Sequence, residues 1–580
     1  MEKAFLPTSF KEGTEYYKNF DQFDVVLITG DPYYDHPLNG SAIIARLLDS
    51  KGYKVGIIPQ PITDEDYQVC GRPKYLFCIT SGLLDSMLAN YTPMLHQRKD
   101  VLVPERVLMV YTQKAKEFYK GCITVLGGVE ATIRRFTHFD YKSNELRRGI
   151  LNDTKADLLL FGNADRSILI LLDRIKKAMY GKGKTDLERV SSVIDLSTIN
   201  GLAFRVKKNE IDESIRKLPS FEECVKDKKK FSLLTRTYYL LPDDSFIEPC
   251  GLGFIQHNRL QHTLQEAELD YVYELPFTRK LHPKAKNFNT NNGMVARLET
   301  SVILGRGCWG SCNFCVIPLV QGKNIAKRSK KSILREIENL YKDGFEKIAD
   351  LTLPTINMYG SYCSLYDSPE VISSPIIKKE ITVFNKKKYC NQQCVGCENR
   401  VLSNDLIPLL NDVKILHKKY RGTSLELRSA IRHDIILEQE ELFKSIMEFI
   451  NRLKIAPEHI NDNVLKQMNK GDRKNFVKFL ELYDKVNLNK KNLVPYFVAG
   501  HPGTTKEDMQ DLKKFCDENK LYVNLTQVFT PTPGTASTSM YYTAENPLTK
   551  EEVYVPRTFR EKKDQKNILL IDDELVDDNA

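Results

Sequence analysis

Short uninterrupted apolar runs, most of them followed by a helical pattern, recur along most of the chain, and few folds accommodate that rhythm. Asp24-Val-Val-Leu-Ile-Thr-Gly30 comes first, with a helical stretch at Ser41 to Ser50. Lys54-Val-Gly-Ile-Ile58, Tyr75-Leu-Phe-Cys-Ile79, Ile123 to Gly127 and Asp157 to Phe161 follow. A strand that is apolar throughout must be covered on both faces, so the pattern predicts a parallel sheet between layers of helices. Residues 1–200 therefore read as a Rossmann-like, doubly wound domain of the α/β class.

From 201 to 295 the rhythm weakens into strand-like pieces such as Gly201-Leu-Ala-Phe-Arg-Val206 and a lysine run at Lys226-Asp-Lys-Lys-Lys230, which reads as a solvated loop in a connector. It resumes over 296–550. Strand candidates lie at Thr300 to Leu304, Lys347 to Leu353, Leu425 to Ala430, Leu453 to Ala456, Val494 to Ala499 and Tyr522 to Val528. Helical patterns fall between, at Ser332 to Lys342 and Lys506 to Asn519 for instance. This predicts a partial barrel of the TIM type, with its ligand site at the carboxyl ends of the strands. A cysteine-rich insertion, 361–400, interrupts the barrel, and 551–580 reads as a C-terminal tail.

At 580 residues the chain is too long for one core. The net charge of +9 is a small difference between 85 basic and 76 acidic residues, so it leaves nucleic-acid binding undecided. No stretch is apolar enough to cross a bilayer and the N-terminus lacks a signal-peptide pattern, so no membrane partner and a cytoplasmic location are expected. In a reducing compartment thirteen cysteines should be thiols, and seven of them crowd between 308 and 397.

The run Gly305-Arg-Gly-Cys308-Trp-Gly-Ser-Cys312-Asn-Phe-Cys315 follows an apolar strand candidate, which puts three thiols on a loop at the active edge of a barrel. Three thiolates on a 4Fe-4S cube leave one iron open. S-adenosylmethionine (SAM) can chelate that iron, and an electron from the reduced cluster then splits the sulfonium to a 5′-deoxyadenosyl radical. Gly305, Gly307 and Gly310 would let the loop wrap the cube, and Phe314 is a candidate to cover the adenine. A structural zinc site would want a fourth ligand, which this trio lacks. Cys390, Cys394 and Cys397 repeat the CxxxCxxC spacing, with Cys363 upstream. Four thiols can close a site, so this set reads as a second iron-sulfur cluster or as a structural zinc.

With these cysteines the chain resembles the YgiQ family (UPF0313) of radical SAM proteins. The resemblance is carried in the first part by Thr29-Gly-Asp-Pro-Tyr-Tyr-Asp-His-Pro37, Leu126-Gly-Gly-Val-Glu-Ala-Thr132 and Leu160-Phe-Gly-Asn-Ala164, and in the connector by Glu274-Leu-Pro-Phe-Thr-Arg279. In the barrel it is carried by Leu353-Pro-Thr-Ile-Asn-Met-Tyr359, Leu453-Lys-Ile-Ala-Pro-Glu-His459, Tyr496-Phe-Val-Ala-Gly-His-Pro-Gly-Thr504 and Phe529-Thr-Pro-Thr-Pro-Gly534. It implies a cobalamin-binding-like N-terminal domain before the radical SAM barrel, and SAM contacts from Asn357, Ser429, Arg432 and Glu458. Arg432 reads equally as a salt-bridged barrel residue, and Glu458 as a cap for the helix starting near Asn461. Asp35, His36 and Gly40 invite comparison with the cobalamin motif DxHxxG, but Asp and His are adjacent here. His36 therefore reads as a loop residue fixed by Asp35, and cobalamin stays open as a ligand at the sheet edge, where Gly127-Gly128 would allow close approach.

The resemblance further implies an electron donor such as flavodoxin or ferredoxin, and leaves the substrate unknown. The spacing around Cys363 to Cys397 is stretched relative to that family. Two other readings compete: methylthiotransferase-like or cobalamin-dependent modification of RNA or protein, to which Cys70, Cys78 and Cys122 would be relevant, and a zinc-stabilised nucleic-acid-binding protein.

Overall fold

The structure is a computed structural model that describes residues 4–99, 101–179, 194–251, 253–285, 298–390, 393–488, 490–523 and 526–570. The chain divides into two units. The first comprises 1–303, 319–322 and 365–389, and the second 304–318, 323–364 and 390–580.

Nine strands make the sheet of the first unit: β1 (Val25–Thr29), β2 (Val55–Pro59), β3 (Leu76–Thr80), β4 (Ile123–Gly127), β5 (Leu158–Leu160), β6 (Leu202–Val206), β7 (Arg216–Lys217), β8 (Phe246–Cys250) and β9 (Gly253–His257). Their order is β2-β1-β3-β4-β5-β6-β9-β8-β7. β1 pairs in parallel with β2 and β3, so Val25 faces both Val55 and Leu76, and β4 and β5 continue in parallel. Every residue of β1 is buried, as an apolar strand between helical layers must be. The helix Gly40–Ser50 follows β1, with Asn39 accepting from the Ser41 N–H as its cap.

Residues 201–295 differ from the expected connector, because β6, β8 and β9 extend this same sheet. β6 is antiparallel to β5, β9 to β6, and β8 to β9. These strands are short and interrupted by turns, so their apolar periodicity is faint in sequence. The lysine run is also not a loop: Asp227 accepts from the Lys229 N–H and starts the helix Lys228–Leu240.

Parallel strands also build the second unit. Arg452–Glu458, Asn492–Ala499 and Thr526–Val528 lie side by side, with Leu453 opposite Leu493 and Phe497 opposite Thr526. Ile431 bridges Ile455 in parallel, Lys347–Ile348 pairs with Ser424–Leu425, and the Leu304 N–H donates to the Thr352 carbonyl at 2.9 Å. The fold is the expected one, a Rossmann-like sheet followed by a partial barrel. Helices cover the strands by burying one stripe each. In Lys330–Lys342 the stripe is Ile333, Ile337, Leu340 and Tyr341; in Lys506–Glu518 it is Met509, Leu512, Phe515 and Cys516.

The 361–400 insertion is divided between the two units. The antiparallel hairpin Tyr366–Ser374 with Lys379–Lys386 belongs to the first unit, where His262 Nε2 meets Asn385 Oδ1 at 3.0 Å and the Tyr366 hydroxyl donates to Asp243 at 3.1 Å. The cysteines on either side of it belong to the second unit. The expected tail is structured over its described part: Phe559–Leu569 is a helix whose Gln565 accepts from the Gly500 N–H and donates to the Thr504 carbonyl, each at 2.8 Å. Residues 571–580 lie outside the described residues.

Candidate metal centre

The loop that carries Cys308, Cys312 and Cys315 is fixed from three sides. At its start, Gly305-Arg306 pairs antiparallel with Ala326-Lys327. A Cβ on Gly305 would stand 2.2 Å from the Ala326 carbonyl oxygen, and one on Gly307, at φ +95°, 2.1 Å from that of Asn324. These two glycines therefore make room for the neighbouring backbone rather than for a cofactor. In its middle, Asn313 donates from its backbone to the Met468 carbonyl at 2.9 Å and from its side chain to that of Gln467 at 2.8 Å, while Asn469 donates to the Ser311 carbonyl at 2.8 Å. From the third side the Ser537 N–H donates to the Asn313 carbonyl at 2.9 Å, and the Ser537 hydroxyl lies 2.7 Å from Nε2 of the buried His501. His501 thus does more than shape the expected turn: it supports this loop, and Phe314 packs edge-on to it at 6.0 Å.

Gly310 is the glycine that serves the thiols. Its missing Cβ would lie 3.2 Å from Cys308 Sγ, 3.7 Å from Cys312 Sγ and 2.9 Å from Arg432 Nη1. Arg432 donates from Nη1 to Cys312 Sγ at 3.2 Å and turns Nε and Nη2 onto Asp434, at 2.9 and 2.5 Å. Both side chains are buried. Burial opposes the charge of Arg432, but Asp434 and then the Cys312 thiol hold its pKa well above the ordinary arginine value. The same guanidinium outweighs the burial of Asp434 and holds that carboxyl well below the usual range. Thr355 Oγ1 lies 3.4 Å from Cys308 Sγ. Burial, and then its neighbour Cys312, push the Cys315 thiol up to about 12, so it needs a positive partner to ionise.

The other residues expected to contact SAM sit around this core in different ways. Asn357 is fully buried; its Oδ1 accepts from the Arg432 backbone N–H at 3.0 Å and its amide donates to Gln439 at 3.3 Å. It holds Arg432 in place. Ser429 ties its own segment to the strand Asp350–Thr352 and its end, donating to the Leu351 carbonyl at 3.1 Å and accepting from the Leu353 N–H at 3.2 Å. Glu458 does not cap the next helix, since Asn461 does that itself. It lies buried at φ +68°, 3.4 Å from Lys470; burial pushes its pKa up, with Lys470 and then Arg432 pulling it back. Asp434, Thr355, Asn313 and Lys470 escaped the sequence reading. Only Asp434, two places from Arg432, carried a local signal.

The second set is also brought together. Tyr362-Cys363 pairs antiparallel with Arg400-Val401, which sets Cys363 opposite Arg400. The Cys397 N–H donates to the Cys394 carbonyl at 3.2 Å, and Asn399 donates to Cys397 Sγ from its backbone at 3.4 Å and its side chain at 3.7 Å. Burial pushes the Cys394 thiol up, Lys323 opposes it, and the Cys390 and Cys363 thiols add to the rise. Cys308 and Cys394 pack against the same buried trio, Trp309, Met358 and Ile435. A cavity of about 760 Å³ is walled by Gln393, Gly396, Asp434 and Lys470, and by none of the first three cysteines. Among the described residues no three His, Cys, Asp or Glu side chains converge as donors to a single ion would.

In the first unit, Asp35 does not fix His36. It is paired with Arg46, through Nε at 3.0 Å and through Nη2, and accepts from the Thr278 N–H at 2.8 Å. His36 is held by its own ring: Nδ1 accepts from the Leu38 N–H at 3.0 Å, and Nε2 lies 3.2 Å from the Glu299 carbonyl. Both nitrogens are engaged. The room at Gly128 is filled by Thr80 Oγ1, 2.3 Å from where a Cβ would be, whereas Gly127 stays open. Cys70 and Cys122 belong to the apolar core, and burial pushes the thiols of Cys78 and Cys122 up to about 12 and 11. Cys70 and Cys122 are thus core residues, and Cys78 lies on β3 within the sheet.

The family model described as Radical SAM N-terminal matches residues 5–296, and one described as a domain of unknown function (DUF3362) matches 524–574. The fold and these matches define a radical SAM enzyme. A UPF0313 protein of Methanocaldococcus jannaschii is 36% identical over 98% of this chain and 92% of its own length, and one of Geobacter sulfurreducens is 35% identical over the same shares. The chain belongs to the UPF0313 family. Among solved structures it is similar in fold, at 12% identity, to the radical SAM methyltransferase TsrM from Kitasatospora setae. One structure of that enzyme, with cobalamin and a [4Fe-4S] cluster bound, gives a TM-score of 0.51 over 89% of this chain and 74% of TsrM. Another, with tryptophan substrate and a SAM analogue, gives 0.50 over 95% and 83%. No helix among the described residues is long and apolar enough to cross a membrane.

Proposed function

We propose that Cys308, Cys312 and Cys315 hold a 4Fe-4S cluster on which the chain cleaves SAM reductively, to act on a substrate outside the protein. The observation that carries this reading is the contact of Arg432 with Cys312 Sγ beside the two thiols that frame Gly310. The donor set fits the group: three soft thiols on a loop held by backbone and side-chain hydrogen bonds suit a cube with one iron left open. Trp309 adds a buried indole N–H with no acceptor among the described residues, a donor that a sulfide or thiolate would satisfy.

When bound, the cluster supplies the electron that breaks a carbon–sulfur bond of SAM and leaves a 5′-deoxyadenosyl radical. The chain's own residues prepare the place. Arg432, held by Asp434 and Asn357, keeps a positive charge against the Cys312 sulfur. The Thr355 hydroxyl is in reach of the Cys308 sulfur. Glu458 and Lys470 offer paired charges beside this centre, suited to the ammonium and carboxylate of an amino acid such as SAM. Asn357 and Ser429 position their neighbours instead. Cobalamin, which TsrM binds, would lack His36 as a ligand here, and the core positions of Cys70 and Cys122 weigh against a methylthiotransferase cluster.

The test is anaerobic reconstitution with iron, sulfide and a reductant, followed by measurement of 5′-deoxyadenosine released from SAM. Wild type should release it and Cys308→Ala should not. A colourless zinc protein that leaves SAM intact would overturn the reading.

A further inference from the structure

The chain leaves the second unit immediately after Ser364 and returns to it at Cys390, with the hairpin Tyr366–Ser374/Lys379–Lys386 between. Cys363 stands one residue before the departure, and Cys390, Cys394 and Cys397 open the return. Pairing of Tyr362-Cys363 with Arg400-Val401 closes the stem. Thiols from two separate stretches of the chain are thus carried on one stem of the second unit.

We infer that Cys363, Cys390, Cys394 and Cys397 bind a second iron-sulfur cluster, coordinated by protein at all four corners, that relays electrons to the centre at Cys308. Four thiolates leave no iron open, so this cluster cannot chelate SAM and can only exchange electrons. Two observations favour iron and sulfide over a single zinc ion. Cys397 Sγ already receives two N–H donors from Asn399, the kind of contact that tunes a cluster's potential. Cys394 also shares with Cys308 the buried wall of Trp309, Met358 and Ile435, and the orphan indole N–H of Trp309 lies within that shared wall.

The redox balance is simple. One electron from a flavodoxin- or ferredoxin-type protein reduces the closed cluster. It then passes to the cluster at Cys308, reoxidising the first, with no bond made or broken at the closed site and no proton required. The relay rests on the reading of Cys308, Cys312 and Cys315 given above; the existence of the second site does not.

Iron, zinc and sulfide analysis of anaerobically purified protein, with electron paramagnetic resonance of the reduced form with and without SAM, tests both parts. Wild type should show two signals, one altered by SAM and one not. Cys308→Ala should lose about four irons and keep the SAM-insensitive signal, and Cys394→Ser should do the reverse. Cys394→Ser should also keep SAM cleavage driven by dithionite while losing at least about tenfold of that driven by flavodoxin. A wild type with a single SAM-sensitive cluster, or with zinc in place of the second, overturns the site even if SAM is cleaved. Equal loss with both reductants, with the first cluster intact, overturns the relay alone.

Discussion

The chain carries CxxxCxxC twice, and the two copies are held in different ways. The first hangs from a barrel strand and is stitched at Asn313 to Met468, Gln467 and Ser537, with a buried guanidinium against Cys312. The second spans a short stem closed by a two-residue strand pair, with Asn399 as the donor to its sulfur and the exposed-to-half-buried surroundings of a hairpin base. Equal spacing therefore does not mean equal chemistry. On the proposed reading, the first loop, fixed from three sides and with a cation against one of its three thiols, would leave a coordination position for a ligand, whereas the second, with four thiols, would close on itself.

The sharpest break between the two regions should come from single cysteines. Cys308→Ala should reduce 5′-deoxyadenosine release to background, while Cys390→Ala keeps it when dithionite is the reductant. Equal loss in both would erase the distinction.

Next in size is the cation. Arg432→Met leaves Asp434 buried without its partner and should cost about 3–5 kcal/mol in chemical denaturation at neutral pH. The pH dependence should change sign. In wild type the folded pKa of Asp434 lies below its unfolded value near ~3.9, so the pair's contribution is full above about pH 4 and falls as the pH drops towards the folded value. In Arg432→Met the unpaired buried carboxyl is pushed above its unfolded value, so protonation on acidification should recover stability instead. Parallel denaturation curves from pH 7 to about pH 3 for the two proteins would refute this.

The glycines give smaller and opposite effects. At Gly310 a Cβ meets Arg432 and Cys308 at 2.9 and 3.2 Å, so Gly310→Ala should lower iron retained at the first site several-fold with little change in the second. At Gly396 a Cβ meets nothing within 4 Å, but φ is +76°. Gly396→Ala should therefore cost only the left-handed strain, roughly 1–2 kcal/mol of stability, and leave dithionite-driven SAM cleavage unchanged. Iron content and melting curves on the same samples separate the two.

Much of this architecture was legible in the sequence. The run Ile123 to Gly127 is a strand over that same span, and Ser41 to Ser50 differs from its helix by one residue, because period and capping are local properties. Between 202 and 257 only Leu202–Val206 was read as strand-like; that it and the later strands extend the same sheet was not legible. They are short, and β8 and β9 owe their place to antiparallel neighbours already in the sheet. Among the candidate site residues, Arg432 was named as a SAM contact or a salt-bridged barrel residue. Its contact with a sulfur 120 positions away left no trace in the residues around it. Asn357 was named for the ligand and is placed behind Arg432, which its amide could not reveal without a partner in view.

The sequence by itself determined the local things: which runs would be strands, where helices begin, and that three thiols at this spacing on a glycine-bearing loop after a strand suit a cube with one iron open. Only the tertiary structure decided which glycines serve the thiols and which serve the backbone, that the two ends of the cysteine-rich insertion would pair so that Cys363 stands opposite Arg400, and that Cys308 and Cys394 would share one apolar wall. The reason is physical. Periodicity and backbone preference act between neighbours along the chain, whereas a sulfur's charge partner and packing surface come from segments that meet only once the apolar faces have been buried together.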